Sequence, residues 1–353
     1  METNLPKQFE ILVQQQSATI AEKIVELQYR LQPEFWKSYG SEGRRISVRD
    51  AGYHLPFLTE AVMADDPRVF KDYVAWVKTL FKGLNFPDSV MITTLKCTKE
   101  VLQEVLPNEL HPIFEPIIDA GLSQMNEQVH EQQSAIDPTT SIGLLTQSYI
   151  NSLLKGNRHS ASKLIMEAVE KGVPVKTIYM EVFQKSQYEI GRLWLSNQIS
   201  VAVEHFCSAA TQSIMSQLYP FIFTTQRVGK TMVAACVGGE LHEIGIRMVA
   251  DFFEMDGWDT YYLGANSPAN SIIKAIESNN AQVVALSAAM PFHRQLMRET
   301  ISKIQQSNAG SNVKIMIGGH AVNTTRDDWR SFNADGYAPN AQEAIEVANK
   351  LTA

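Results

Sequence analysis

Cysteine is scarce in this sequence: three among 353 residues, Cys97, Cys207 and Cys236, with no C-x-x-C spacing. That excludes a disulfide framework and a thiolate zinc site, and buried free thiols are the simpler expectation. No run of about 18 apolar residues occurs, and Met1 opens a polar, amphipathic segment where a secretory signal would have a basic stretch and an apolar core. The chain is therefore expected to be cytoplasmic, with no membrane partner. Lysine and arginine form no block and the formal net charge is -7, so the electrostatic footprint of a direct nucleic-acid binder is missing.

What is present is an ordinary globular composition, 44% apolar, over a length that calls for two or three domains. From Gln8 to about Val129 the pattern is helical, with Ile11, Ile20, Ile24 and Leu27 near helical spacing and interruptions at Pro33, Gly40, Gly83, Pro87 and Pro107. A polar connector, Glu127 to Thr140, ends in Asp137-Pro138-Thr139-Thr140, a turn followed by helix-capping residues. A second helical block of four or five helices runs to about Phe223, broken at Gly156-Asn157 and Gly172-Val173-Pro174. After Lys230 the texture changes to apolar runs (TMVAACV, DTYYL, VVALSA, KIMIG) separated by helical stretches at 242–255, 268–279 and 292–307. That alternation predicts a doubly wound parallel sheet. The expected domains are 1–130, an all-α N-terminal domain; 138–226, a helical-bundle cap; and 229–353, an α/β Rossmann-like, flavodoxin-like domain.

The first strand runs into Gly238-Gly239-Glu240-Leu241-His242-Glu243-Ile244-Gly245, which places His242 in a loop at the carboxyl end of a strand, where open α/β sheets bind ligands. Alone, such a histidine reads as a hydrogen-bonded or capping residue. Its neighbours make it more: 41 residues separate Gly245 from Ser287, and 28 separate Ala289 from Gly318-Gly319, giving E-x-H-x-x-G-(41)-S-x-A-(28)-G-G. The constellation resembles the cobalamin-binding domains of methionine synthase, corrinoid methyltransfer proteins and cobalamin mutases, which carry D-x-H-x-x-G, S-x-L and G-G. The resemblance implies that His242 is the lower axial cobalt ligand, that Glu240 accepts its other ring N–H, and that the residues from Glu240 to Gly245 line the cofactor. It further implies that Ser287, Ala289, Gly318 and Gly319 line a slot for the nucleotide tail, an ordinary strand-end turn being the alternative for the two glycines. Glu240 and Ala289 depart from the usual aspartate and leucine.

In the cap, nine residues separate Trp194 from Glu204-His205. The pattern resembles the W-x(9)-E-H signature of cobalamin-dependent photoreceptors, which implies that Trp194, Val201, Glu204 and His205 cover the adenosyl group of adenosylcobalamin. Helix packing for Trp194 and a polar helix face for Glu204-His205 are the alternatives. Leu195 stands where the light-sensing repressors carry a second histidine. The N-terminal stretch, with Asp50 to Leu58 and Asp72 to Trp76, resembles the sensory region of photocobilins, which bind cobalamin and biliverdin. By that resemblance Tyr53 and His54, with Trp76 and the Arg44, Arg45 and Arg49 cluster, would hold a bilin, and Cys97 is the one N-terminal thiol for a covalent bond. Core aromatics, a satisfied helix histidine and a solvated arginine face are the alternative. The leading expectation is a non-enzymatic light-sensing homo-oligomer, a light-dependent dimer with an unidentified downstream effector protein. A corrinoid methyl carrier of a methyltransferase system, or a light-independent cobalamin-sensing adaptor, is the alternative.

Overall fold

The computed structural model describes residues 4–128, 133–323 and 326–353, with side chains 326–328 outside the description. The chain divides into two compact units: Met1–Gln132 with Leu195–Gln198, and Gln133–Trp194 with Ile199–Ala353. The connector expected from Glu127 to Thr140 lies partly outside the described residues.

The first unit is helical: α1 (Leu5–Leu31), α2 (Gly40–Ala64), α3 (Pro67–Gly83), α4 (Asp88–Val105) and α5 (His111–Gln124), with short turns between. Each breaker read from the sequence falls at an element boundary: Pro33 starts a one-turn helix, Gly40 opens α2, Gly83 closes α3, and Pro87 and Pro107 precede the segments after them. Side-chain caps reinforce the starts, Asn4 accepting from the Lys7 N–H and Asp66 from the Arg68 N–H. In α1 the buried stripe is Phe9, Val13, Ile20, Ile24 and Leu27. Ile11, expected on that stripe, is 43% exposed. At about 100° per residue it lies on the far side of the helix from Phe9.

The second unit joins the cap to the sheet. Cap helices are α6 (Ser141–Leu154), α7 (Arg158–Glu170), α8 (Lys185–Leu195) and α9 (Val201–Gln217), with a π-helical turn at Ile178–Gln184 ahead of α8. Thr140, Asn157 and Ser200 cap α6, α7 and α9 by accepting backbone N–H groups. Strands β1 (Thr231–Cys236), β2 (Asp259–Gly264), β3 (Val283–Ser287), β4 (Lys314–Gly318) and β5 (Gly336–Tyr337) form one parallel sheet in the order β2-β1-β3-β4-β5. Helices α10 (Ile244–Met255), α11 (Ala269–Asn279), α12 (Arg294–Gln306) and α13 (Ala341–Leu351) complete the Rossmann-like fold.

Alternation along the strands divides the apolar side chains between two cores. Val233, Ala235, Val237, Val284, Leu286 and Ile317 join one with α11 and α12. Met232, Ala234, Cys236, Ala285 and Met316 join the other, which continues without a break into Tyr149, Phe183, Ile214 and Met215 of the cap. The cap thus has no separate centre; it shares its core with one face of the sheet. Polar bridges cross the same seam: the Tyr179 hydroxyl donates to Asp251 on α10 at 2.7 Å, and Arg247 donates to the Ser216 hydroxyl at 2.7 Å.

Candidate functional site

Register brings the chemistry together. Cys236 pairs with Ser287 and Ser287 with Gly318, so β1, β3 and β4 end in one row. The loop after β1 then folds over that row and is braced by the loop after β2: Gly239 N–H donates to the Asn266 side chain at 2.7 Å, and Asn266 N–H to the Glu240 carbonyl at 2.8 Å.

Glu240 is fully buried, with no exposed surface. One carboxylate oxygen accepts from the His242 backbone N–H at 2.9 Å and from its ring Nδ1 at 2.5 Å. The other accepts from the Ala289 and Met290 N–H groups at 2.7 and 3.0 Å and from the His293 ring Nδ1 at 3.0 Å. Burial alone would push the carboxyl upward, but the hydrogen bonds from His242, His293 and the peptide N–H groups outweigh it and hold Glu240 well below the usual carboxylate range. An ionised carboxylate only accepts, so Nδ1 of His242 carries the proton and Nε2 of the neutral ring keeps its lone pair. The hydrogen bond from Glu240 raises the His242 pKa against the opposing effect of burial, with further contributions from the charges of Glu240 and Glu204. The His242 side chain is 63% exposed, so its ring has a path to a ligand.

Around it, Leu241 is exposed and Ile244 half-buried, while Glu243 accepts from the Tyr262 hydroxyl at 2.8 Å and the Ala265 N–H at 2.9 Å. Gly245 has nothing within 4 Å of the place a Cβ would take. Gly319, at φ +93°, is closely confined: a Cβ there would meet the Ala288 carbonyl at 2.3 Å and the Ser287 hydroxyl at 2.8 Å. Ser287 is buried, and Ala289, half-buried, contributes its backbone N–H and no side-chain function.

The expected cap residues belong to the same unit. Glu204 accepts from the His205 ring at 2.6 Å and the Ser208 hydroxyl at 2.8 Å, and its charge acts on His242. Trp194 is half-buried, and Val201 and His205 are exposed. In the first unit the expected bilin residues divide: His54 and Trp76 both pack on Tyr73, while Tyr53 is exposed. Tyr53 is 59% exposed under the Arg49 guanidinium, whereas His54 is buried and bonded through Nδ1 to the Tyr73 hydroxyl at 2.6 Å. Adjacent residues on a helix point apart, so the two cannot line one wall. Trp76 is 38% exposed, and Cys97 is buried with its thiol pushed up to about 11 by desolvation, which disfavours the thiolate.

Sequence reasoning missed His293 and Asn266. His293 had a signal: it follows β3 by six positions, in another loop at the carboxyl edge of the sheet. Among the described residues there is no cluster of three or more His, Cys, Asp or Glu suited to a metal ion, and no helix is long and apolar enough to cross a membrane.

Comparison with known proteins agrees with this geometry. Residues 230–346 and 145–219 each match a B12 binding domain, and residues 10–125 match a phycobilisome protein. Dimethylamine corrinoid protein 1 of Methanosarcina acetivorans is 28% identical over 189 residues, 53% of this chain and 83% of that protein. A dimethylamine corrinoid protein of Methanosarcina barkeri is 26% identical over 187 residues, with the same coverage of 53% and 83%. The solved monomethylamine corrinoid protein of Methanosarcina barkeri superimposes with a TM-score of 0.53 at 20% identity, covering 59% of this chain and 98% of that one, which establishes the shared fold. These relatives correct the light-sensing expectation: they are dimethylamine and monomethylamine corrinoid proteins, in agreement with the methyl-carrier alternative.

Proposed function

We propose that the protein is a corrinoid carrier that works with a methyltransferase partner, holding cobalt through Nε2 of His242. The observation carrying this reading is the exposed imidazole fixed through Nδ1 to a buried, ionised carboxylate. A bound corrinoid supplies a cobalt centre able to accept and release a methyl group, and its macrocycle provides the ligands that a single imidazole cannot. Glu240 keeps His242 in the tautomer that presents a lone pair. Open space over Gly245 leaves room for the group, whereas Gly318 and Gly319 are already packed against the Ala338 and Ala288 carbonyls. Glu204 and Trp194 face the choice of upper group, with methylcobalamin favoured by this reading and adenosylcobalamin the competing form.

Titration with both forms, followed by incubation with a methylamine-type methyltransferase, tests the proposal. The expected result is cobalamin binding with an imidazole-ligated spectrum and transfer of the methyl group. In His242→Ala affinity falls by about 100-fold or more, beyond the loss typical of an outer partner. Unchanged spectrum and affinity in that variant would overturn the assignment.

For the first unit we propose biliverdin as a second ligand, a reading supported by the phycobilisome-protein match. A cavity of about 560 Å³ in this unit is lined by Lys78, Lys82, Phe86 and Asp88; Lys78 there already donates to the Met125 and Glu127 carbonyls, and neither Tyr53 nor His54 lines it. Purification of the full chain with biliverdin should give a red-absorbing complex, and a colourless product refutes it.

A further inference from the structure

We propose that His293 is a positioning residue for the corrinoid site, holding Glu240 so that one carboxylate oxygen stays on Nδ1 of His242. The inference deepens the reading of His242 as cobalt ligand and rests on it for its consequence.

Glu240 lies between two imidazoles, each bonded through Nδ1, one on each oxygen. The rings differ in what their other nitrogen can do. The His242 side chain is 63% exposed, whereas that of His293 is 12% exposed. Nε2 of His293 lies 3.2 Å from the place a Gly239 Cβ would take, and Phe292 packs edge-on against the ring at 4.5 Å. The β1 loop therefore closes over His293, which leaves it a brace, while the solvent-facing ring of His242 remains the ligand. Ala289 and Met290 donate to the same oxygen as His293, so these two peptides pin it within the β3 loop. Without His293 the backbone N–H groups of Ala289, Met290 and His242 still hold the carboxylate, which keeps its place but loses the ring that braces the oxygen away from His242. The expected effect is accordingly near the lower end of the ten- to hundredfold range typical of partners behind a metal ligand.

Full-length wild type, His293→Leu and His293→Asn provide the test. Asparagine places an N–H near the former Nδ1 position without the ring, whereas leucine keeps volume and removes the donor. Two readouts are taken: the His242 ring tautomer in the unloaded chain, by long-range ¹H–¹⁵N correlation at alkaline pH, and the affinity for hydroxocobalamin by absorbance titration. His293→Leu is expected to give mixed His242 tautomers and about tenfold weaker binding, with both restored in His293→Asn. Wild-type tautomer and affinity in His293→Leu, or equal impairment in both variants, overturns the proposal. If wild type binds no cobalamin yet the His242 tautomer changes in His293→Leu, the corrinoid reading falls and the positioning role stands.

Discussion

Two histidines, one in each unit, show how a partner decides what an imidazole can do. His54 is buried against a neutral tyrosine hydroxyl, and desolvation pushes it down to about 4. His242 is bonded to a carboxylate and keeps an exposed face, and its pKa moves the other way. Burial without a countercharge yields a neutral packing element; a countercharge with access to solvent yields an oriented imidazole whose free nitrogen can meet a ligand. Asp251, in the second unit, is also buried against a tyrosine hydroxyl, and desolvation pushes it up to about 6 against the opposing Tyr179 bond and Arg247 charge.

The largest effect that could break this contrast is acid sensitivity of the first unit. With an ordinary value of 6.5 when unfolded and about 4 when folded, His54 leaves stability intact above pH 6.5 and withdraws it as pH falls towards 4. The full shift corresponds to about 3 kcal/mol, and it should disappear in His54→Gln when chemical denaturation is followed from pH 8 to 4. A pH dependence that persists in the variant would assign the effect elsewhere.

Asp251 should behave with the opposite sign. Its folded value lies above the unfolded 3.8, so its contribution is present below that value and lost as pH rises through 6. Asp251→Asn is therefore expected to stabilise the second unit at pH 8 by about 2 kcal/mol, somewhat less than the full shift because the amide recovers only part of the Tyr179 bond. Thermal unfolding of the variant at pH 8 and pH 5 checks this, with the gain at pH 5 only about half that at pH 8.

Next comes Glu240→Gln, which keeps shape but removes the charge that fixes His242. Cobalamin affinity should fall by about 10- to 50-fold, and a normal affinity would mean that the countercharge is dispensable. The smallest effect is expected for Tyr53→Ala: an exposed side chain under Arg49 should change stability by less than about 0.5 kcal/mol. A larger loss would show that the pair is structural.

Much of this was legible in the sequence because it is written in local spacing. Continuous apolar runs gave four strands their places, and breakers such as Gly83 and Pro87 sit at helix ends. His242 was singled out by a family resemblance carried in the intervals to Ser287 and Gly318, and the register then aligns the ends of the strands that carry those residues. Two residues of β5 carry no period at all, and a seven-residue π turn has no signature distinct from a helix. Tyr179 and Asp251 meet across 72 positions, a distance no local pattern spans. Tyr53 and His54 were grouped by a family resemblance, but neighbouring positions on one helix leave the first exposed and the second buried.

The core shared by cap and sheet also sets an order of events during synthesis. Tyr149 and Phe183 belong to one continuous core with Ile345 and Ala348 of α13, so that core is complete only once the end of the described chain has been made. The first unit buries Phe9 and Ile20 in a core it can assemble while the rest is still being made. During that interval the cap helices leave the ribosome with an apolar face uncovered, so a pause between α9 and β1 would expose the nascent chain to aggregation more than a pause before α6.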